Sequence, residues 1–583
     1  MKVLGILVVI MVSLVSCTKK SQVNDDTIYG VIDANIKGLD PIQAADNYMI
    51  KAVSQIYEGL YHYHYLKRPL QLEPQLAESL PTISPDGLTY TIKIKKGVYF
   101  QDHEAFPARK GRELTAHDFI YSWKRLADAS HKATGWWVFD GRIQGLNEWR
   151  QELSQGKVNY DSPISGLTAK DKYTLEIKLT KAFPLFEIML ALPPTFAVAR
   201  EVVEKTGNEF LNHPVGTGPF LLKEWIRNSK IVLEANPNYR TELYPNEGED
   251  VDRELSRLED AGKKLPLAKK VVIQIMPERQ PMWLSFARGE LDHAIIPKDN
   301  YSQVFNGKTL REDIRKKGIQ ILNQPRPDVT FIGINMEHPI LGKNKYLRQA
   351  MAMAINNQIS IDTFYNGRGI PAQSPLPPGF RGYKKSYKKP YDFDLQRAQS
   401  YMIKAGFPDG KGLPTFRFEL TNASSWSRQM GEFLQQQWAQ IGIKIKLIPN
   451  NWPQFDKKLK SRQAEIFFMA WTADYPDSEN FLQLFFSKNI SPGPNNFNFV
   501  NRDYDQMYEK MSLLSPSPER LALIRKMVQL VNEEVPAIFL LHRVFRLPYQ
   551  GWLRNYKEYP GINDFYQYLR IDLERKSKLK PKL

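Results

Sequence analysis

Apolar and polar positions change period repeatedly along the chain. Tyr90, Ile92 and Ile94 alternate with Thr91 and Lys93, and Tyr173, Leu175, Ile177 and Leu179 alternate with polar partners, the two-residue period of half-buried strands. Leu347, Ala350, Met351, Ala354 and Ile355 instead fall on one helical face, and they read as plain core. Met430, Phe433, Leu434, Trp438 and Ile441 repeat the helical spacing until Gly442 stops it. Ile443, Ile445 and Leu447 then alternate with Lys444 and Lys446, which predicts helix followed by strand. Glu465 to Trp471 is a further β-rich run. Both patterns interleave throughout with no internal repeat, so an α/β or α+β protein is predicted rather than an all-helical array.

Length and composition narrow this further. At roughly 150 residues per domain, the 583 residues make several domain-sized units with real cores. Hydrophobic residues at 42% and charged residues at 25% exclude a disordered chain. The 80 Lys and Arg against 63 Asp and Glu give a net charge of +17, which raises nucleic acid and anionic membrane as partners. The basic residues are scattered, however, without the groove-reading or stacking elements of a nucleic-acid binder. Only Arg575 to Lys582 forms a dense run, and it reads as a frayed, solvated end, with contact to anionic lipid near a membrane tether as the alternative.

One cysteine excludes a disulfide framework or a Cys-rich zinc site, and its position is informative. The chain opens with Lys2, is apolar from Val3 to Val15 except for Gly5 and Ser13, and reaches Leu14-Val15-Ser16-Cys17. That stretch is too short to span a bilayer and fits an export signal. It resembles the lipobox of bacterial lipoproteins, which implies a signal over residues 1–16 and lipidation of Cys17, anchoring an otherwise soluble extracytoplasmic protein; an ordinary cleaved signal with an incidental cysteine is the alternative.

Catalytic signatures fail at specific residues. Gly307-Lys308-Thr309 ends like a phosphate-binding loop, but Ser302 stands where its first glycine belongs. Gly216-Thr217-Gly218 lacks the third glycine of a dinucleotide fingerprint, since Leu221 occupies that place, and Pro219 would remove a donor amide. His62 and His64 alternate with Tyr61, Tyr63 and Tyr65 as strand residues would, and neither a His-Glu-x-x-His pair nor a Gly-x-Ser-x-Gly elbow occurs. The expectation is a non-enzyme with no metal and no cofactor.

Several strings taken together carry a resemblance. Gln55-Ile56-Tyr57-Glu58-Gly59-Leu60, Leu76-Ala77-Glu78-Ser79-Leu80, Asp86-Gly87-Leu88-Thr89-Tyr90-Thr91 and Leu114-Thr115-Ala116-His117-Asp118-Phe119-Ile120-Tyr121-Ser122-Trp123 come first. Gly216-Thr217-Gly218-Pro219-Phe220, Leu347 to Ile355, and Trp471-Thr472-Ala473-Asp474-Tyr475-Pro476-Asp477 with Asn480-Phe481-Leu482 follow in order. The chain thus resembles the extracytoplasmic oligopeptide-binding proteins of ABC importers, the family 5 solute-binding proteins of the peptide, nickel and haem group.

The resemblance implies an α/β, two-lobed, periplasmic-binding-protein-like (class II) fold with an extra small domain. Its three domains are expected at residues 18–57, 200–330 and 541–583 (domain I, discontinuous), 58–199 (domain II) and 331–540 (domain III). It implies a monomeric receptor for oligopeptides that delivers them to ABC permease subunits. Asp474 matches the family's amine-binding aspartate, with a turn-capping Asp ahead of Tyr475-Pro476 as the structural alternative. Ala470 and Thr472 match backbone partners of the peptide, and Trp452 and Trp471 match walls of side-chain pockets, with core tryptophan as the alternative for each. Trp136, beside Trp137, and Asn496 match cleft positions more loosely.

Departures from the pattern bear on specificity. Where some members place an arginine for the carboxylate of short peptides, this chain has Phe468, and the assisting histidine falls near Ser427, beside Arg428. A strict di- or tripeptide preference is therefore not expected. Segments Tyr244–Lys264 and Gln101–Glu113 are longer, and their charge content reads as solvated surface. A receptor of the same fold for a glycan fragment, a metal chelate, haem or a signalling peptide remains an alternative, as does a hydrolase or chaperone-like surface protein.

Overall fold

The computed structural model describes residues 26–583 apart from 45, 308, 559, 560 and 562. Cys17 and the leader segment lie outside the described residues, as does Lys308.

Two groups of cores divide the chain. One gathers Ile28 to Ile275 and then Trp552 to Ile571, joined by a smaller cluster that includes Met282, Trp283, Tyr301 and Phe305. The other forms on both faces of a sheet between Val329 and Leu541. The first side contains a sheet ordered Ile28–Ile32, Lys270–Ile275, Lys230–Ala235, Phe220–Ile226, and a second ordered Thr82–Ile83, Thr89–Lys93, Thr174–Lys178, Leu167–Asp171. The strands expected around Tyr90 and Tyr173 are therefore present and pair with each other, Tyr90 opposite Ile177 and Ile92 opposite Leu175.

The strings named in the sequence fold for identifiable reasons. Thr115 and Asp118 form a capping box that starts the helix Ala116–Ala127, and Asp118 also accepts from Arg112, which bridges on to Glu201. Trp123 on that helix is fully buried and donates its indole N–H to the Thr195 carbonyl. The strings around Glu58 and Gly216 meet each other. A Cβ on Gly216 would lie 2.1 Å from the Ile56 carbonyl oxygen, so only glycine permits this approach. Thr217 then donates to the buried Glu58 carboxylate, which Arg240 neutralises with two 2.8 Å hydrogen bonds. The near-match to a nucleotide loop is thus a packing device around a buried ion pair.

The second side is organised by a sheet ordered Gln320–Pro325, Ala537–Tyr549, Asp328–Ile334, Ile466–Thr472, Phe416–Leu420, Ile445–Pro449, with Gly369–Pro371 joined to Ala537–Tyr549. The helix Lys345–Met353, capped by Asn344, and the helix Ser425–Ala439 pack on it as their spacing predicts. Arg348 is buried too, with its guanidinium donating to the Leu341, Gly342 and Glu534 carbonyls.

The two sides are joined at Arg326–Pro327 and through the strand Ala537–Tyr549. The first part of that strand pairs with Asp328–Ile334 and its last part with Gln320–Pro325. Arg543 fixes this passage by donating Nε and its backbone N–H to the buried Asp328 carboxylate.

Two surface expectations change. Tyr244, Asp252, Arg257 and Asp260 of the 244–264 segment are buried, because the carboxylates pair inward with Arg257, Lys557 and Arg570. The basic end is not frayed: Leu573–Leu579 is a helix capped by Asp572, and Leu579 packs on Gly318 and Gly551. Summed charge concealed the apolar Leu573, Leu579 and Leu583, which pack against the core.

Candidate functional site

The strand Ile466–Thr472 is β-branched and aromatic at its start, and both its faces are covered by core. One edge pairs along its whole length with Asp328–Ile334. The other pairs with Phe416–Leu420 only at Ile466 and Phe467. Among the described residues, Phe468 to Thr472 therefore present an unpaired edge of N–H and C=O groups, which includes Ala470 and Thr472. Such an edge is a template for an added strand.

Asp474 follows directly. Its side chain is open to solvent in this arrangement, and no cation pairs with it among the described residues. Even so, the surrounding protein desolvates the carboxyl and raises its pKa, an effect partly offset by a hydrogen bond from Asn480. The neighbouring Tyr475 packs into the core of the opposite side, so Asp474 lies where the two sides meet. Arg142 faces Tyr475 and Glu479 across the same junction.

Asn480 organises this corner. It is fully buried, its Oδ1 accepts from the Trp471 indole at 2.9 Å and from the Asp474 backbone N–H at 3.3 Å, and its Nδ2 donates to Asp474 Oδ2 at 3.2 Å. One amide thus sets both the Trp471 ring and the Asp474 carboxylate. Behind it, Asp477 pairs bidentately with the buried Arg520, and the Glu479 carboxyl, raised in pKa by burial, receives the hydroxyls of Tyr475 and Tyr508. The resemblance strings include Asn480, at the start of Asn480-Phe481-Leu482, but assign it no role; its part as a hub has no local pattern to mark it.

The other candidates lie farther apart. Trp452 opens the helix Trp452–Lys460, is 56% exposed, and keeps its ring 5.8 Å from buried Phe455. Trp136 is half-buried beneath the Arg150 guanidinium at 4.8 Å, whereas Trp137 is 42% exposed. Asn496 is half-buried and hydrogen-bonds within its own loop, to Ser491 and Pro494. Phe468 is buried and meets the half-buried Trp426 edge-on at 6.1 Å, Ser427 is buried, and Arg428 is exposed. No cation occupies the Phe468 position, and its aromatic contact explains why apolar character suits it there.

Comparison with known proteins adds independent information. The family model described as bacterial extracellular solute-binding proteins, family 5, matches residues 71–493. Heme-binding protein A of Haemophilus influenzae is 26% identical over 556 residues, covering 94% of this chain and 92% of its own length. The dipeptide-binding protein of Escherichia coli is 24% identical, covering 93% of this chain and 94% of its own. The structure of HbpA2 from Haemophilus parasuis superposes with a TM-score of 0.75 at 23% identity, over 94% of this chain and all of that one. These relatives are solute-binding proteins rather than enzymes, and the shared architecture is the α/β class II fold of periplasmic binding proteins. The match over most of the chain, together with an open strand edge between two sides joined by two connections, places this protein among the extracellular solute-binding proteins of family 5.

Proposed function

We propose that the chain is a lipid-anchored receptor that captures oligopeptides between its two sides and delivers them to an ABC permease. The observation that carries the reading is Asp474, a carboxylate whose pKa its protein surroundings raise and which has no cationic partner among the described residues, standing at the end of the free edge Phe468–Thr472. A peptide laid along that edge would hydrogen-bond through its backbone near Ala470 and Thr472 and present its α-ammonium to Asp474. At ~3.3 Å per residue the edge accommodates roughly four extended ligand residues. Trp471, its indole N–H already engaged by Asn480, offers a ring face as a pocket wall, and exposed Trp452 offers a second. Trp136 and Asn496 are proposed as outer contacts. The proposed domains are 18–57, 200–330 and 541–583, then 58–199, then 331–540; the separation of the cores and the two connections support this division. Cys17 is proposed as the lipidated anchor, and the receptor as a monomer.

Similarity to Heme-binding protein A favours a second reading, haem as the cargo. Haem lacks an amine, so Asp474 separates the two. Calorimetry on the chain from Thr18, with three- to six-residue peptides bearing free or acetylated N-termini and with haem, tests both. Binding of the free-amine set alone supports peptide capture through Asp474. Equal binding of both sets removes Asp474 from the site, and binding of haem alone refutes peptide capture.

A further inference from the structure

The segment Tyr244–Lys264 and the basic carboxy-terminal helix meet around a cavity of about 210 Å³ that none of the peptide-site residues lines. Gln320 and Tyr549, paired at the far ends of the two joining strands, form one wall, and the Tyr549 hydroxyl donates to Gln320 Oε1 at 2.6 Å. Three guanidiniums from three separate stretches of chain, Arg257, Arg554 and Arg575, share the remaining walls with neutral residues such as Leu255, Leu553 and Tyr556.

Their hydrogen-bonding capacity is only partly used. Arg257, 4% exposed, donates to Asp252 and to the Tyr556 carbonyl, both at 3.0 Å. Arg554 donates one nitrogen to Glu259 at 2.6 Å. Arg575 has no carboxylate partner among the described residues. Glu254 is the one carboxylate on the wall, and it is exposed. All three arginines act on the Tyr549 phenol, opposing the rise in its pKa that burial causes. Each guanidinium presents five donors in a planar fork, and unused donors converging from several sides suit an acceptor with several oxygens better than a halide. The cavity exceeds several-fold the ~30 Å³ share of one water, which leaves room for such an anion. Lys580 and Lys582 follow Arg575 along the basic end of the chain and add to its positive charge, while Lys578 pairs with Glu574.

We propose that this cavity binds a phosphate-type oxyanion, either free or carried on a phospholipid headgroup. The segment that lengthens the chain at 244–264 and the basic tail then share one purpose, since each supplies an arginine to the same cavity.

The test uses the unlipidated chain from Thr18. Inorganic phosphate is titrated by calorimetry against chloride at equal ionic strength, and cosedimentation is measured with anionic and with zwitterionic phospholipid vesicles. Arg575→Gln is the principal variant because its side chain holds no ion pair among the described residues; Arg554→Gln is the second, and peptide affinity reports that each is folded. The expected result is one phosphate per chain, with half-saturation raised at least tenfold by Arg575→Gln. Loss of the phosphate response alone assigns a free anion; variant-sensitive binding to anionic vesicles assigns the headgroup. The proposal is overturned by a response that survives both substitutions, or by the absence of any response to phosphate and vesicles.

Discussion

Replacing Asp474 by Asn tests the peptide site most directly. The amide keeps the size of the side chain and can still accept from Asn480 Nδ2, so the corner built by Asn480 and Trp471 is preserved while the charge is removed. In the occupied cleft an ammonium about 4 Å from the carboxylate, at an effective dielectric constant near 20, is attracted by about 4 kcal/mol. Water stripped from both ions offsets part of this, and unpairing such a charge costs roughly 2–4 kcal/mol of affinity, about a 30- to 900-fold rise in Kd. Acetylated peptides should lose nothing. The pH dependence has a definite sign. Desolvation raises the Asp474 pKa in the free receptor, and a bound ammonium lowers it, so the complex holds fewer protons. Affinity is therefore fully present above the raised free-state pKa and falls as pH drops through it, an acid limb that begins higher than for an ordinary Asp and is absent in Asp474→Asn. The same raised pKa means that the charge disfavours the unliganded fold, so Asp474→Asn should melt at an equal or higher temperature. Calorimetry from pH 4 to 8 with free and acetylated tetrapeptides measures all of this. An unchanged Kd for the free-amine peptide, or an acid limb that persists in the variant, refutes the argument.

Two further outcomes follow from the neighbouring groups. Asn480→Ala strips Trp471 Nε1 and Asp474 of their shared partner, and should cost about 1–3 kcal/mol of stability together with a several-fold loss of peptide affinity; thermal melts and calorimetry check both, and an unaltered affinity would show that the hub does not position the site. Glu479 has a pKa raised by burial, so between its ordinary value of 4.5 and the raised folded value the folded chain holds the extra proton, and stability declines as pH rises through that window. Melting curves against pH should show this decline in the wild-type chain and a flatter response in Glu479→Gln, whereas parallel curves would remove Glu479 as the source.

Elements with clear periodicity were legible in the chain, such as the helix around Leu347 and the paired strands around Tyr90 and Tyr173, because one buried face imposes its period on the residues. The meeting of the Glu58 and Gly216 strings was not, since a long-range ion pair with Arg240 and a glycine contact leave no local period. At the candidate site, Asp474 and Trp471 stand out by resemblance, while Asn480 acquires its role only from three hydrogen bonds that folding creates. The 244–264 segment misleads for a related reason: charge content describes a solvated surface only when the partners are water, and here they are Lys557 and Arg570, hundreds of residues away.

Under the proposed function, the placement of Asp474 would let broad capture and amine selectivity coexist. Backbone hydrogen bonds along Phe468–Thr472 are available to any extended chain, whatever its side chains. The two sides would open and close around the ligand, and a bound peptide would displace water from Asp474, which is open to solvent beside the Tyr475 contact. A ligand shifts such an equilibrium only through contacts that differ between the open and closed arrangements. If Asp474 is the proposed amine site, a peptide with a free amine would neutralise the carboxylate as water leaves, and the closed arrangement would gain the ion pair. A blocked peptide would gain the same backbone contacts but leave the carboxylate unpaired as water is displaced, which would oppose the motion. On the proposed reading, selection for the amine would act on closure itself, and a ligand's side chains, which make none of the backbone hydrogen bonds of an added strand, would be left comparatively free.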